Sequence, residues 1–291
     1  MTRLQSPLFS TLTALGSLVL AALLGGCGGG GSGGSPSVAT LSASTVSYSR
    51  TMTVTVNGSA LQSADVQMVV EGPCGPVTKV AGGTDLVQQY ACTVTGLGDM
   101  FARIRTETKL ELASLRLNVP VPQVSVTVRQ GTRLGTFVVE LDPVKAPISV
   151  DNFLAYVNGF FYTNTLFHRV IAGFVVQAGG YIAGPIRKPP NRPAIALEAG
   201  NGLSNLQYTI AMARTSAPDS ATAEFYVNLV DNPSLDPGGV SPQGYAVFGK
   251  VVSGFDIVDE IGKVPTTLNV PLGLLDLPQV NVVILAATQT R

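Results

Sequence analysis

From Val38 onward the chain keeps returning to one pattern, short runs of alternating apolar and polar residues cut by turn residues. TMTVTVNG, DVQMVVEG, YACTVTG and LASLRLNV come first, then QVSVTVRQ and GTFVVEL. A period of two puts every second side chain on one face of an extended strand, so such a chain must pair many strands and cover one face of each. Further strands are expected at TLFHRVI, FVVQAG, YTIAMAR, AEFYVNL, YAVFGKVV and NVVILAAT. Helical spacing is read in two places. In APISVDNFLAYVNG, Val150, Phe153, Leu154 and Val157 fall on one helical face, with Ser149 as candidate N-cap and Gly159 as candidate stop; in FDIVDEIGKV, Phe255, Val258 and Ile261 do the same. Strands do not alternate with helices as a parallel sheet requires, so the pattern predicts a mostly β chain whose second half closes as an antiparallel barrel.

A chain of 291 residues exceeds one small core and fits two modest domains with appendages. VPVP, ending at Pro122, is a short hinge, so residues 38–120 and 121–291 are read as separate domains. The first, with its Asn-Gly and Gly-Pro turns, is expected to be a small β-sandwich and resembles an immunoglobulin-like module. It holds no constellation of catalytic side chains and reads as a spacer or a protein-binding module.

The N-terminus reads as a targeting device. Arg3 gives a positive start, Leu12 to Leu24 an apolar stretch too short to span a bilayer comfortably. That stretch runs into LLGGC, which resembles the lipobox of bacterial lipoproteins, although Gly25 departs from the commoner pattern. The resemblance implies residues 1–26 as signal peptide and Cys27 as the lipidated first residue; the alternative is an ordinary signal peptide with Cys27 incidental. GGGGSGGSPS follows, so residues 27–37 form a flexible tether. Two cysteines remain, Cys74 and Cys92, an even pair in an exported chain, and they are expected to be bonded to each other. Two thiols and one distant histidine do not make a zinc set. The 18 basic and 18 acidic side chains cancel, which leaves no electrostatic footprint for nucleic acid.

One stretch resists a purely structural account. FHRVIAGFVVQAGG, residues 167–180, is an apolar run closed by glycines, and it carries His168, Arg169 and Gln177. Arginine cannot shed its charge and is rarely buried without a partner or a task. With NFLAYV before it and TIAMART, SATAEFYVNL and GYAVFGKVV after it, in that order, the region from about Val124 to the C-terminus resembles the cyclophilin peptidyl-prolyl isomerases, and their bacterial periplasmic branch in particular. The resemblance implies an eight-stranded antiparallel barrel with a helix over each end.

It also implies a task for Arg169, which matches the family's catalytic arginine. An X-Pro bond rotates slowly because resonance holds it planar, behind a barrier of about 18–20 kcal/mol. As the bond twists, the prolyl nitrogen gains a lone pair that a fixed guanidinium can donate toward, and the twisted state is favoured over both planar ones. By resemblance, Phe174, Val175, Tyr226 and Leu235 line an apolar cup for the proline ring, Gln177 braces the arginine and bonds substrate backbone, and Ala213 lies beside the substrate's main chain. Isomerisation moves no proton, so His168 is read as a buried framework residue. No metal, nucleotide or flavin signature appears, and the chemistry needs none.

Departures from the family pattern carry their own implications. Ser234 stands where human cyclophilins have tryptophan, which implies weak binding of cyclosporin; Tyr245 matches the bacterial branch. Val175 replaces methionine and Tyr226 phenylalanine, adding a hydroxyl at the pocket floor. Glu224 stands where glutamine is usual, and a carboxylate there is expected to pair with Arg169 and compete with substrate. The leading reading is an exported isomerase acting on X-Pro-containing clients from a lipid anchor, the glycine after Cys27 favouring the outer membrane and the periplasm. The alternative is a catalytically weakened module that holds proline-containing segments.

Overall fold

The computed structural model describes residues 34–269 and 273–291. The expectations for the signal peptide and for Cys27, and the first part of the tether, lie outside them. Among the described residues no helix is long and apolar enough to cross a membrane. The chain divides into two compact units, one ending at Leu117 and the other continuing to Arg291, with the short segments 47–50 and 94–98 belonging to the second.

Among its described residues, the first unit has strands as its regular elements. β1 (Ser37–Ala43), β2 (Thr51–Ser59), β4 (Thr78–Lys79) and β5 (Val87–Thr93) form a sheet in the order β1-β2-β5-β4; β3 (Gln67–Glu71), β6 (Gly98–Arg105) and β7 (Glu111–Val119) form a second in the order β3-β6-β7. Alternate residues are buried as a period of two demands: Met52, Val54, Val56, Tyr90 and Cys92 from one sheet, Met68, Met100, Ala102, Ile104 and Leu115 from the other. The buried Tyr90 hydroxyl donates to the Val66 carbonyl at the entry to β3, which ties the two sheets. Cys74 and Cys92 are joined as a disulfide with Cα atoms 6.0 Å apart.

The second unit is a closed barrel. Its strands are β8 (Gln123–Gln130), β9 (Arg133–Leu141), β10 (Thr165–Ile171), β11 (Val175–Ile182), β13 (Thr209–Met212), β14 (Phe225–Asn228), β15 (Val247–Ser253) and β18 (Val282–Gln289). They run β10-β18-β8-β9-β15-β13-β14-β11, and β11 returns to pair with β10. Eight antiparallel strands thereby close without a free edge. The short β12 (Ile186–Arg187) adds to β11, and a hairpin of β16 (Thr266–Asn269) and β17 (Leu274–Pro278), absent from the sequence reading, packs β17 beside β10.

Two helices complete the unit, α1 (Pro147–Asn158) and α2 (Phe255–Gly262). The apolar face expected of α1 is buried throughout, and Phe153 drives into the core with its ring 5.2–5.4 Å from those of Tyr162, Phe225 and Phe248. Gly159 ends the helix, its N–H donating to the Ala155 carbonyl. The N-cap expectation fails: Ala146 is the cap, Pro147 takes the first turn where its fixed φ fits, and Ser149 lies inside the helix. The capping duty passes to a distant carboxylate, because Glu198 accepts from the Ile148 and Ser149 N–H groups and from the Ser149 hydroxyl at 2.7–3.0 Å. On α2, Val258 and Ile261 are buried, but Phe255 is 41% exposed; it lies at the rim with its ring 4.8 Å from that of Tyr208.

Candidate active site

The register of the barrel lines up the site before any side chain is considered. Arg169 on β10 is opposite Gln177 on β11, Gln177 opposite Tyr226 on β14, Tyr226 opposite Ala211 on β13, and Ala211 opposite Val247 on β15. Residues directly opposite in paired strands share a face. One row across five strands therefore carries a cation, an amide and three apolar side chains, while the neighbours Phe225 and Phe248 point the other way into the core.

Val175, Ala211, Tyr226, Leu235 and Val247 form a separate apolar cluster on this face, with Phe174, Leu203, Ala213 and Tyr245 packed half-buried against it. The structure thus brings the four residues expected of the cup, Phe174, Val175, Tyr226 and Leu235, together with Ala213 and with Tyr245. Leu235 reaches the cluster from a short helical turn, Pro233–Leu235, and Tyr245 follows it through a backbone bond to the Leu235 carbonyl.

The extra hydroxyl on Tyr226 does not make the cup polar. It donates to Asn205 Oδ1 at 2.7 Å, and Asn205 is wholly buried, donating in turn to Asp236 Oδ1 at 2.8 Å. Burial of Tyr226, with the Asp236 carboxylate nearby, pushes its phenol far above the ordinary range, so it remains a donor. For Asp236 burial works toward protonation, yet bonds from the Ser204 hydroxyl and from Asn205 hold its carboxyl below its usual value. Arg214, also unanticipated, lies with its guanidinium carbon 4.5 Å from the Tyr245 ring centroid and donates to the Gly244 carbonyl and the Ser241 hydroxyl. Tyr245 is thereby held between Arg214 and the Tyr226 ring, 6.0 Å away.

The polar end is built differently from expectation. Between Phe167 and Arg169 the β10–β11 register slips by a residue, so His168 is the extra residue of a bulge. A bulge re-aims a side chain, and His168, almost fully buried, directs Nε2 to Glu224 Oε2 at 3.3 Å. The same carboxylate oxygen accepts from Gln177 Nε2 at 2.8 Å, while Gln177 Oε1 faces Arg169 Nη1 at 3.5 Å. Glu224 therefore does not pair with Arg169; the ion pair of Arg169 is with Asp276 on β17, Nε to Oδ2 at 3.6 Å. Burial raises the cost of the Glu224 charge, but bonds from His168 and Gln177 and the charge of Arg187 outweigh it and hold the carboxyl below its ordinary value.

Gly179 and Gly180 make room for this arrangement. Gly179 has φ +96°, and a Cβ on it would stand 2.8 Å from the Ala223 carbonyl; a Cβ on Gly180 would collide with Glu224 Oε1. His168 is the framework residue that the sequence reading expected. Asn205, Arg214 and Asp276 escaped it, because each acts through a partner distant in sequence. Among the described residues no cluster of three metal-ligating side chains occurs.

The sequence of this region has counterparts among known proteins. The family model described as cyclophilin type peptidyl-prolyl cis-trans isomerase/CLD matches residues 124–289. Peptidyl-prolyl cis-trans isomerase A of Dickeya dadantii is 52% identical over 135 residues, covering 46% of this chain and 70% of its own length. A peptidyl-prolyl cis-trans isomerase of Acinetobacter baylyi is 49% identical over 140 residues, covering 48% and 73%. Peptidyl-prolyl cis-trans isomerase B of Escherichia coli is 50% identical over 137 residues, covering 46% and 83%.

Proposed function

The chain belongs to the cyclophilin-type peptidyl-prolyl cis-trans isomerase family, and from that premise we propose that it rotates X-Pro bonds of exported polypeptides by an arginine-centred mechanism. The proline ring enters the cup of Phe174, Val175, Tyr226, Leu235 and Tyr245, the substrate main chain runs along Ala213, and Gln177 holds it in register. Arg169 then holds the carbonyl before the proline and donates toward the prolyl nitrogen as it becomes pyramidal. The observation that supports this reading is the five-strand row in which Arg169 and Gln177 stand in register with Tyr226, Ala211 and Val247 of the apolar cluster. Arg169→Ala tests it in a proline-limited refolding assay. A loss of more than tenfold in kcat/KM, about 1.4 kcal/mol of transition-state preference, is expected; an unchanged rate rejects the mechanism.

The alternative, a weakened module that only holds proline segments, drew its motive from a Glu224–Arg169 pair. Glu224 is engaged instead by His168 and Gln177. The finer features of the reading stand beside the activity as proposals. The seven strands in orders β1-β2-β5-β4 and β3-β6-β7 fit the four-plus-three plan of a constant-type immunoglobulin sandwich, which supports residues 38–120 as an Ig-like domain and 121–291 as the isomerase domain. The order of charge, apolar stretch and Cys27 supports residues 1–26 as a lipoprotein signal peptide, with a periplasmic, membrane-anchored mature protein. An intact mass showing an unmodified Cys27 in the mature chain removes the anchor. Ser234 argues for weak cyclosporin binding, which an inhibition titration checks.

A further inference from the structure

Arg169 is the only charged side chain between Asp151 and Arg187, His168 aside, and Asp276 is the only one between Lys263 and Arg291. Two isolated opposite charges, each alone in an uncharged run and more than a hundred positions apart, are brought to 3.6 Å. Asp276 lies on β17 between the exposed Leu275 and the buried Leu277, and β17 packs beside β10. A lone carboxylate in such a run costs solvation unless a cation or water compensates it.

The edge that Asp276 approaches decides what the pair does. Asp276 stands at Nε, the inner edge of the guanidinium, while Gln177 Oε1 stands at Nη1. A planar fork touched at two different nitrogens is restrained in rotation about its stem, and its remaining amino group is left to point at a ligand. A carboxylate competing with substrate would stand instead at the distal amino groups. We propose that Asp276 is a positioning residue for Arg169, holding the guanidinium plane in the orientation that the twisted amide requires. This rests on the reading of Arg169 as the catalytic cation. With 41% of the Arg169 side chain and 30% of the Asp276 side chain exposed, the pair is open to screening by dissolved ions.

The test uses the whole chain with Asp276→Ala, Asp276→Asn and Asp276→Glu, each checked for an unchanged thermal transition, in a peptide isomerisation assay at low and at near-molar salt. At low salt Asp276→Ala is expected to lower kcat roughly two- to fivefold with little change in KM, as suits a half-exposed pair. Asp276→Asn falls between it and the wild type, and Asp276→Glu recovers most of the rate. Raising the salt should shrink the difference between wild type and Asp276→Ala, which a purely structural deficit would not do. In an Arg169→Ala background, Asp276→Ala should have no further effect. An Asp276→Ala protein as fast as wild type or faster, or a deficit in it that is indifferent to salt, overturns the proposal. Should Arg169→Ala itself keep the full rate, it is the catalytic reading of Arg169 that falls, and the two failures are thus told apart.

Discussion

Strands of the first unit and strands of the site face of the barrel obey different burial rules. In β2, Met52, Val54 and Val56 are buried while the residues between them are not, and β8 and β9 in the barrel repeat this one-in-two pattern. In β14 all four residues, Phe225 to Asn228, are buried, and so are three of four in β13. Alternation means that one face meets the core and the other meets water. Its loss means that a second layer covers the outer face, and here that layer is Leu203, Leu235 and Tyr245 over Val175, Ala211, Tyr226 and Val247. The site is therefore where the simple pattern of a β chain breaks down, and the first unit, which keeps the pattern, has on its outer surface ion pairs such as Arg105–Glu71.

The contrast sharpens most within one strand. Phe225 faces the barrel core beside Phe153 and Tyr162, and Tyr226 faces the cup. Phe225→Ala should cost about 3–5 kcal/mol of stability in chemical denaturation, the toll for emptying an aromatic site in a packed core. Tyr226→Phe should cost only about 1 kcal/mol, for the hydroxyl bond to Asn205 alone. If the two substitutions were equally destabilising, the division of β14 into a folding face and a functional face would be wrong.

A smaller effect is expected in the first unit. The Cys74–Cys92 bridge closes a segment with a sequence separation of 18, and a loop of that order constrains the unfolded chain by about 3 kcal/mol. Replacing both cysteines with serine should lower the unfolding transition of that unit by this amount and leave kcat/KM at wild-type level. A parallel fall in isomerase rate would mean that the sandwich does more than the burial contrast allows.

Much of this was legible in the sequence, and the rest was hidden for physical reasons. Period-two runs mark most of the strands because one-sided burial leaves that trace, and the blocks around FHRVIAGFVVQAGG hold residues that the fold gathers into one apolar cluster. What stayed hidden depends on pairs distant along the chain. Nothing local says that Glu198 rather than Ser149 caps α1, or that Asn205 takes the Tyr226 hydroxyl. Glu224 was expected beside Arg169 because both belong to one site, but the bulge at His168 turns a histidine toward it first. The hairpin bearing Asp276 was missed because TTLN and LLDLP lack clean alternation. Its signal, a solitary acid in an uncharged run, is electrostatic rather than periodic.

The smallest expected effect concerns that buried chain of bonds. Glu224 has a folded-state carboxyl held below its ordinary value, so its contribution to stability is complete above the unfolded-state value of about 4.3 and is lost as pH falls through the lower folded one. In Glu224→Gln the amide oxygen can still accept from Gln177 and His168, but no charge assists the bonds. Wild type should therefore melt a few degrees above Glu224→Gln near neutral pH, and the gap should close as the solution is acidified below about pH 4. The sign is what matters: a group buried against its will, with desolvation dominant, would instead leave wild type melting below Glu224→Gln near neutral pH and rising toward it on acidification. Melting curves of the two proteins across that range decide whether the partners of Glu224 outweigh its burial, and hence whether the polar end of this doubly covered face is built as firmly as its apolar end.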